Sequence, residues 1–314
     1  MTIIRKENVL STLRINHVYK SFEDVHAVQD LTLDLEPGII FGLLGPNGAG
    51  KTTTIRMIMN IIIPDKGVIL IMNKSNSQEM RDRIGYLPEE RGLYKKMKIY
   101  NILSFLAEMK GMKPAISKDK INYWLERFEM MDWIDKKVEE LSRGMQQKIQ
   151  FISTILHEPE LIILDEPFTG LDPVNTDLIK DVILELKQKG ATIIFSTHLM
   201  DQVEKLCDSI CLINEGRAVL EGNLKNVKKN FRRNNIAVKF EKVVPDLDNI
   251  DLIKSIEKKN NLIEITPNDQ NNIQEILKIL VDKAPITRFE IVEPSLHEIF
   301  IETVTQKVKG GHHE

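Results

Sequence analysis

The sequence predicts an α/β fold, a large first domain followed by a smaller one, and three observations carry that expectation. The chain has 314 residues, more than one compact core usually organises. The runs Leu161-Ile162-Ile163-Leu164 and Thr192-Ile193-Ile194-Phe195 are almost uniformly apolar, as parallel strands covered by helices on both faces require. Between them Leu178, Ile179, Val182, Ile183 and Leu186 keep a helical period and Gly190 offers a stop, so the segment reads as a right-handed β-α-β unit.

Along the chain, Thr12 to Val18 and Leu31 to Leu35 alternate apolar with polar residues and read as paired, half-buried strands. Pro37-Gly38 favours a turn into the apolar run Ile39 to Leu44, which is followed at once by GPNGAGKTT, Gly45 to Thr53, and then by the helix-patterned Ile55, Ile58 and Met59. Pro64 to Gly67 marks another turn, and Val68 to Met72 and Ile84 to Leu87 are short β-prone runs. From about residue 90 to 158, Ile102, Phe105, Leu106 and Met109, then Ile121, Trp124, Leu125 and Phe128, recur at helical spacing. This stretch reads as a helical insertion whose large apolar residues belong to a core.

Leu224 to Asn235 is poor in apolar residues and holds Lys225, Lys228, Lys229, Arg232 and Arg233. It reads as a solvated linker, placing a first domain at 1–224, the linker at 225–235 and a second domain at 236–314. In the second domain Ile236 to Phe240, Leu262 to Thr266 and Ile286 to Val292 read as strands, and Ile273 to Val281 and Leu296 to Val304 as helices.

Composition narrows the function classes. A net charge of -3 offers no general attraction to nucleic acid or anionic lipid. Cys207 and Cys211, four residues apart, can neither staple a fold nor complete a four-ligand metal site, and are expected as small buried residues in a chain from a reducing compartment. The apolar stretch Met57 to Ile63 is interrupted by Asn60 and falls short of the ~20 residues of a bilayer span. Arg5, Lys6 and Glu7 precede no apolar core, so a secretory signal is not expected, and His312 and His313 after Gly310-Gly311 read as tail, not as a metal site.

GPNGAGKTT carries the chemistry. Gly45, Gly48 and Gly50 lack a Cβ, so successive N–H groups of Gly45, Pro46, Asn47, Gly48, Ala49, Gly50 and the following residues, proline excepted, can converge on phosphate oxygens at a helix N-terminus. Lys51 supplies a point charge to the β- and γ-phosphates, and Thr52, next to Thr53, can ligate the Mg²⁺ bridging them. The apolar run Leu161 to Leu164 then delivers Asp165 and Glu166 at a strand's C-terminal end, where open α/β sheets bind ligands. Asp165 suits the Mg²⁺ shell, and Glu166 can act as general base on a water in line with the γ-phosphate.

From residue 12 to about 224 the chain resembles the nucleotide-binding subunits of ATP-binding cassette (ABC) transporters. The resemblance rests on these motifs and five more in order: Phe22 in YKSF, Glu89 in GYLPEER, Leu141 to Lys148 (LSRGMQQK), Gly170-Leu171-Asp172 and His198 in STH. It implies an α/β P-loop NTPase core of the ABC ATPase type with an antiparallel β subdomain and a helical subdomain, plus a small C-terminal α/β domain. It further implies that Phe22 stacks on adenine, that Glu89 lies in the metal shell, and that His198 contacts the γ-phosphate and orients Glu166. Two subunits would meet head to tail, identical or paired, with Ser142 and Gly144 of one reaching the other's ATP and Asp172 communicating across the interface.

Three residues depart from the family pattern, among them Met145, which stands where LSGGQ has its glutamine. Arg143 stands where LSGGQ has its first glycine, placing bulk and charge beside the nucleotide. Glu89 stands where glutamine is usual, which adds negative charge near phosphate and predicts altered coupling or metal dependence. Phe289 to Val304, FEIVEPSLHEIFIETV, resembles the ending of ABC-2 type cassettes, and GYLPEERGLYKKMK resembles the sodium-extrusion branch. The expectation is an ATPase that energises export, of sodium ions or a drug-like compound, through a separate membrane permease from the cytoplasmic face of the plasma membrane. The alternatives are a soluble non-transport ABC ATPase on ribosomes or DNA, and a regulatory nucleotide-sensing module.

Overall fold

In the computed structural model, the described residues are 11–75, 78–90, 92–231, 235–241, 244–247, 250–259 and 262–310. Arg5, Lys6, Glu7, Arg91, Arg232, Arg233, His312 and His313 lie outside them. The chain divides into two compact units, Met1–Leu224 and Lys225–Glu314.

The first unit opens with a hairpin, β1 (Leu13–Phe22) and β2 (Val25–Leu35), paired antiparallel from Leu13↔Leu35 to Phe22↔Val25. Both strands outrun their alternating stretches. Register shifts after Ile15 and Val18 break the two-residue period while pairing continues, so alternation alone underestimates their length. β3 (Ile40–Leu44) leads through the glycine loop into α1 (Lys51–Ile58), and β4 (Lys66–Ile71) and β5 (Lys74–Ser75) complete an antiparallel sheet in the order β2-β1-β4-β5. Leu13, Ile15, Val18, Leu31, Leu33 and Leu35 from its inner face join Ile55, Met57 and Ile58 of α1 in one core.

After α2 (Gln78–Asp82) and β6 (Ile84–Leu87), the helical insertion is α3 (Ile99–Met109), α4 (Pro114–Arg127) and α5 (Arg143–Ile155). Ile121, Trp124, Leu125 and Phe128 are buried as the period requires. Phe105 and Met109 correct the expectation: they are 41% and 65% exposed, because the stripe of α3 runs through Ile99, Ile102, Leu103 and Ala107, one position round the helix. Phe105 instead meets Tyr94 edge to face, with ring centroids 6.3 Å apart.

β7 (Leu161–Asp165), α6 (Pro173–Gln188), β8 (Thr192–Thr197), α7 (Met200–Leu206), β9 (Ser209–Asn214) and β10 (Arg217–Asn223) finish the main sheet, ordered β10-β9-β3-β8-β7-β6. Pairing is parallel from β9 through β6, with β10 antiparallel at the edge. Every residue of β3, β7 and β8 is buried, which is what their apolar runs required. Gly190, at φ +97°, ends α6 as its N–H donates to the carbonyl of Lys187. Cys207 and Cys211 are free and buried, and burial pushes both thiols far above the ordinary range.

The segment read as linker begins as a helix, α8 (Leu224–Asn230). Its few apolar residues are enough, since Leu224 and Val227 sit three apart on one face and are both buried. The second unit then folds β11 (Asn235–Phe240), β12 (Ile253–Lys259), β13 (Leu262–Pro267), α9 (Ile273–Lys283), β14 (Ile286–Val292) and α10 (Leu296–Gly310). Its sheet order is β12-β13-β11-β14, antiparallel throughout. Ile236, Val238, Phe240, Ile263 and Ile265 pack with Ile273, Ile276 and Leu280 of α9. The strand β12, IKSIEKK, has no place in the sequence-based reading, because three lysines and a glutamate hide an edge strand that needs little apolar surface.

Candidate functional site

The C-terminal ends of β3, β7 and β8 converge on a cavity of about 710 Å³ in the first unit. Its lining includes Asn47, Gly48, Gly50, Lys51, Thr52, Thr53, Glu89, Asp165, Glu166 and His198. At Gly50, φ is +108° and a Cβ would lie 2.3 Å from the carbonyl oxygen of Ala27, so only glycine lets the loop pass under β2 into α1. A Cβ on Gly48 would meet nothing within 4 Å; its backbone faces the open cavity. Lys51 is 7% exposed, and its ammonium donates to the carbonyls of Gly45 at 2.8 Å and Pro46 at 3.0 Å. Burial lowers its pKa, opposed by the charges of Glu166, Asp165 and Glu89. The loop thereby holds its own cation over the cavity floor.

Asp165 ends β7 and is 1% exposed. Burial raises its carboxyl pKa, and the carboxylates of Glu89 and Glu166 add to the effect against Lys51. Its Oδ2 is buried with no hydrogen-bond partner. An orphaned carboxylate oxygen in a cavity that Thr52 and Glu89 also line offers hard oxygen ligands, and such a set would fit a Mg²⁺ ion that phosphate oxygens complete.

Glu166 is fixed with unusual completeness. Its N–H donates to the carbonyl of Ser196 at 2.9 Å, which leaves the residue in the left-handed region at φ +50°, a conformation costing on the order of 1 kcal/mol for a side chain without special cause. Its Oε2 accepts from the Thr197 hydroxyl at 3.1 Å, and its Oε1 accepts from the His198 N–H at 3.1 Å and lies 2.7 Å from His198 Nδ1. With Nδ1 engaged, His198 keeps Nε2 for a ligand on the cavity side. The helix α5 braces this arrangement: Gln147 Nε2 donates to the carbonyl of Pro167 at 3.0 Å and Gln150 Nε2 to that of Glu90 at 3.3 Å.

Other sequence-chosen residues lie outside the cavity lining. Gly45, Pro46 and Ala49 shape the loop from behind. Phe22 is 44% exposed at the end of β1, with the Lys20 ammonium 5.4 Å from its ring centroid. Ser142 is the N-cap of α5, accepting from the N–H of Met145 at 3.3 Å, and Gly144 is two residues on, where a Cβ would stand 3.5 Å from the carbonyl oxygen of Gly170. Asp172 caps α6, accepting from the N–H and side-chain amide of Asn175 at 2.9 and 2.6 Å; these bonds hold its carboxyl below the ordinary range.

Sequence reasoning missed Val25, His26, Ala27, Gln29, Thr169, Glu215 and Gly216, which line the same cavity. The Glu215-Gly216 turn is visible as a turn, but it reaches the site because the Gly216 N–H donates to the carbonyl of Ala49 at 3.0 Å and its carbonyl accepts from the N–H of Gln29 at 2.7 Å. Those are tertiary bonds that no local pattern announces.

Comparison with known proteins gives consistent matches. A family model described as ABC transporter matches residues 28–169, and one described as the C-terminal domain of DrrA1-3-like ATP-binding proteins matches residues 222–304. The chain is 45% identical to the uncharacterized ABC transporter ATP-binding protein YhaQ of Bacillus subtilis, covering 93% of this chain and 98% of the relative. It is 34% identical to the Nod factor export ATP-binding protein I of Cupriavidus metallidurans, over 67% of this chain and 70% of the relative. Among solved structures, an ATP-binding subunit of an ABC transporter superposes with a TM-score of 0.67 at 30% identity, covering 70% of this chain and 93% of that one.

Proposed function

This chain belongs to the family of ABC transporter ATP-binding proteins, and from that premise we propose that it hydrolyses ATP between two head-to-tail cassettes to energise export through a separate permease. The observation that carries the proposal is Glu166: a carboxylate held by Thr197 and His198 at the mouth of a cavity floored by a glycine loop and Lys51.

The β- and γ-phosphates lie against the N–H groups from Asn47 to Thr53 and the Lys51 ammonium, where helix α1 adds its positive end. Thr52, Asp165 and Glu89 would hold Mg²⁺, which would supply neutralisation of phosphate charge. Glu166 takes the proton of a water whose oxygen attacks the γ-phosphorus as the bond to the β,γ-bridging oxygen breaks. His198 positions that base through Nδ1 and presents Nε2 to the γ-phosphate. Phe22 stands at the base-binding end, on the hairpin whose Val25 and His26 line the cavity.

Ser142 and Gly144 are outside the cavity of their own cassette, so the proposal gives them to the partner's ATP. There the N-terminus of α5 adds N–H donors and a positive dipole. Asp172, exposed at the start of α6, lies at the same interface. The permease is a separate chain at the membrane, and this chain sits peripherally on the cytoplasmic face of the plasma membrane; among the described residues no helix is long and apolar enough to cross a bilayer. Export follows the name of the Nod factor export relative and the resemblance of GYLPEERGLYKKMK to the sodium-extrusion branch, which makes sodium ions the first cargo to assay.

The test is Glu166→Gln. The expected result is ATP affinity close to that of the wild type with hydrolysis lower by ~10²- to 10⁴-fold, the usual worth of a positioned general base. Wild-type turnover in the variant would remove Glu166 from that role.

A further inference from the structure

We propose that Glu89 makes the nucleotide cavity selective for ATP already complexed with a divalent cation, and that it refuses the bare polyanion. The inference rests on the reading of the cavity as an ATP site and deepens it.

The charges that line the cavity are unbalanced. Lys51 is the single Lys or Arg side chain among the described lining residues, which also include Glu89, Asp165, Glu166 and Glu215; the charges of the first three act on it. These carboxylates are not equivalent. Glu166 is covered by donors from Thr197 and His198, which absorb much of its charge. Asp165 has the Ser196 hydroxyl near its carboxylate, and its buried Oδ2 makes no hydrogen bond. Glu89 is exposed on the loop after β6, and no hydrogen bond or ion pair from a described residue reaches its carboxylate. Its charge reaches Lys51, the cation that meets phosphate.

A bare triphosphate brings several negative charges to this wall, and Glu89, the uncovered carboxylate whose charge reaches Lys51, repels it. A triphosphate that carries Mg²⁺ reverses the sign of the encounter, since the cation meets Glu89 and the orphaned oxygen of Asp165 directly. Neither carboxylate can hold the ion alone. Among the described residues no group of three or more His, Cys, Asp or Glu side chains could hold a metal ion, and Mg²⁺ keeps to six oxygens, so it needs the phosphates to stay. Nucleotide and cation must therefore enter together. Lys51 by itself would accept either form; the discrimination comes from the carboxylate placed opposite it.

The experiment is calorimetry on the full chain at low ionic strength, with ATP titrated in Mg²⁺ and again in excess EDTA. In Glu89→Gln, an isosteric change at an exposed position, the ratio of the bare-ATP Kd to the Mg·ATP Kd is expected to fall about tenfold, mainly because bare ATP binds more tightly. The difference should shrink as salt is added. Glu215→Gln removes the same charge from another part of the lining and is expected to leave the ratio within about twofold. An unchanged ratio in Glu89→Gln, or an equal fall in Glu215→Gln, overturns the proposal while the ATP site stands. Absence of ATP binding in both media, in wild type and variants alike, overturns the ATP site itself.

Discussion

At the scale of single residues, the site is a set of charges whose positions are fixed by backbone before any ligand arrives. Lys51 shows this most clearly: its ammonium is buried and already spends two donors on the carbonyls of Gly45 and Pro46. Those bonds compensate a desolvated cation in the nucleotide-free chain. A γ-phosphate would compensate it better, because it adds the attraction of opposite charges in a partly desolvated site. Lys51→Ala is therefore expected to weaken ATP binding by at least ~10-fold, with the loss in affinity itself and not only in turnover. Calorimetry against the wild type measures it, and equal affinities would show that the loop amides alone carry the phosphates. Glu166 illustrates the complementary case, a residue whose left-handed backbone is locally unfavourable and is held by the Ser196 carbonyl and the donors on its carboxylate.

At the scale of elements, the helical insertion is tied to the main sheet's covering helix by a forked ion pair. Arg127, ending α4, donates through both terminal nitrogens to Glu185 of α6, with Nη1 2.7 Å from Oε2. The guanidinium holds the Glu185 carboxyl below its ordinary range, so the pair contributes fully at neutral pH and its contribution fades as pH falls through that lowered pKa. Glu185→Gln should cost about 0.5–1 kcal/mol, a modest figure because the pair is partly exposed, and the cost should vanish in acid. Denaturant melts at two pH values would check it; a loss that persisted unchanged in acid would contradict it. The same elements show what a sequence can disclose. The fully buried strands β3, β7 and β8 were legible because both faces are covered, so their composition is uniform. The glycine loop, Asp165 and Glu166 were legible because each ends or directly follows such a strand, whereas His198 was reached only through the family resemblance. Phe105, Met109 and β12 were not: a helical period does not say which way round the stripe faces, and an edge strand of mixed charge carries no alternation. Val25, His26 and Glu215 were hidden for another reason, since only the bonds of Gly216 to Ala49 and Gln29 bring their turns to the cavity.

At the scale of the whole molecule, the proposed head-to-tail arrangement makes the site of one cassette incomplete. The N-terminus of α5 carries Ser142, Arg143 and Gly144 with no acidic residue in its first turn, and none of the three lines the cavity of their own cassette. A helix N-terminus bearing an added guanidinium is electrostatically costly unless an anion approaches it. In the proposed head-to-tail pair that anion would be the partner's ATP, and the cost of Arg143 in the free chain would become a gain in the closed one. Closure is then linked to the γ-phosphate, because only the triphosphate makes differential contacts with the closed state. Slowing hydrolysis should trap that state: Glu166→Gln with Mg·ATP is expected to give a dimer by light scattering, and the same protein with ADP a monomer. Adding Ser142→Ala should shift the trapped population back toward monomer by removing one donor per site. A variant that stayed monomeric with Mg·ATP at high concentration would mean that the two cassettes do not close on nucleotide alone, and that the permease supplies the missing free energy.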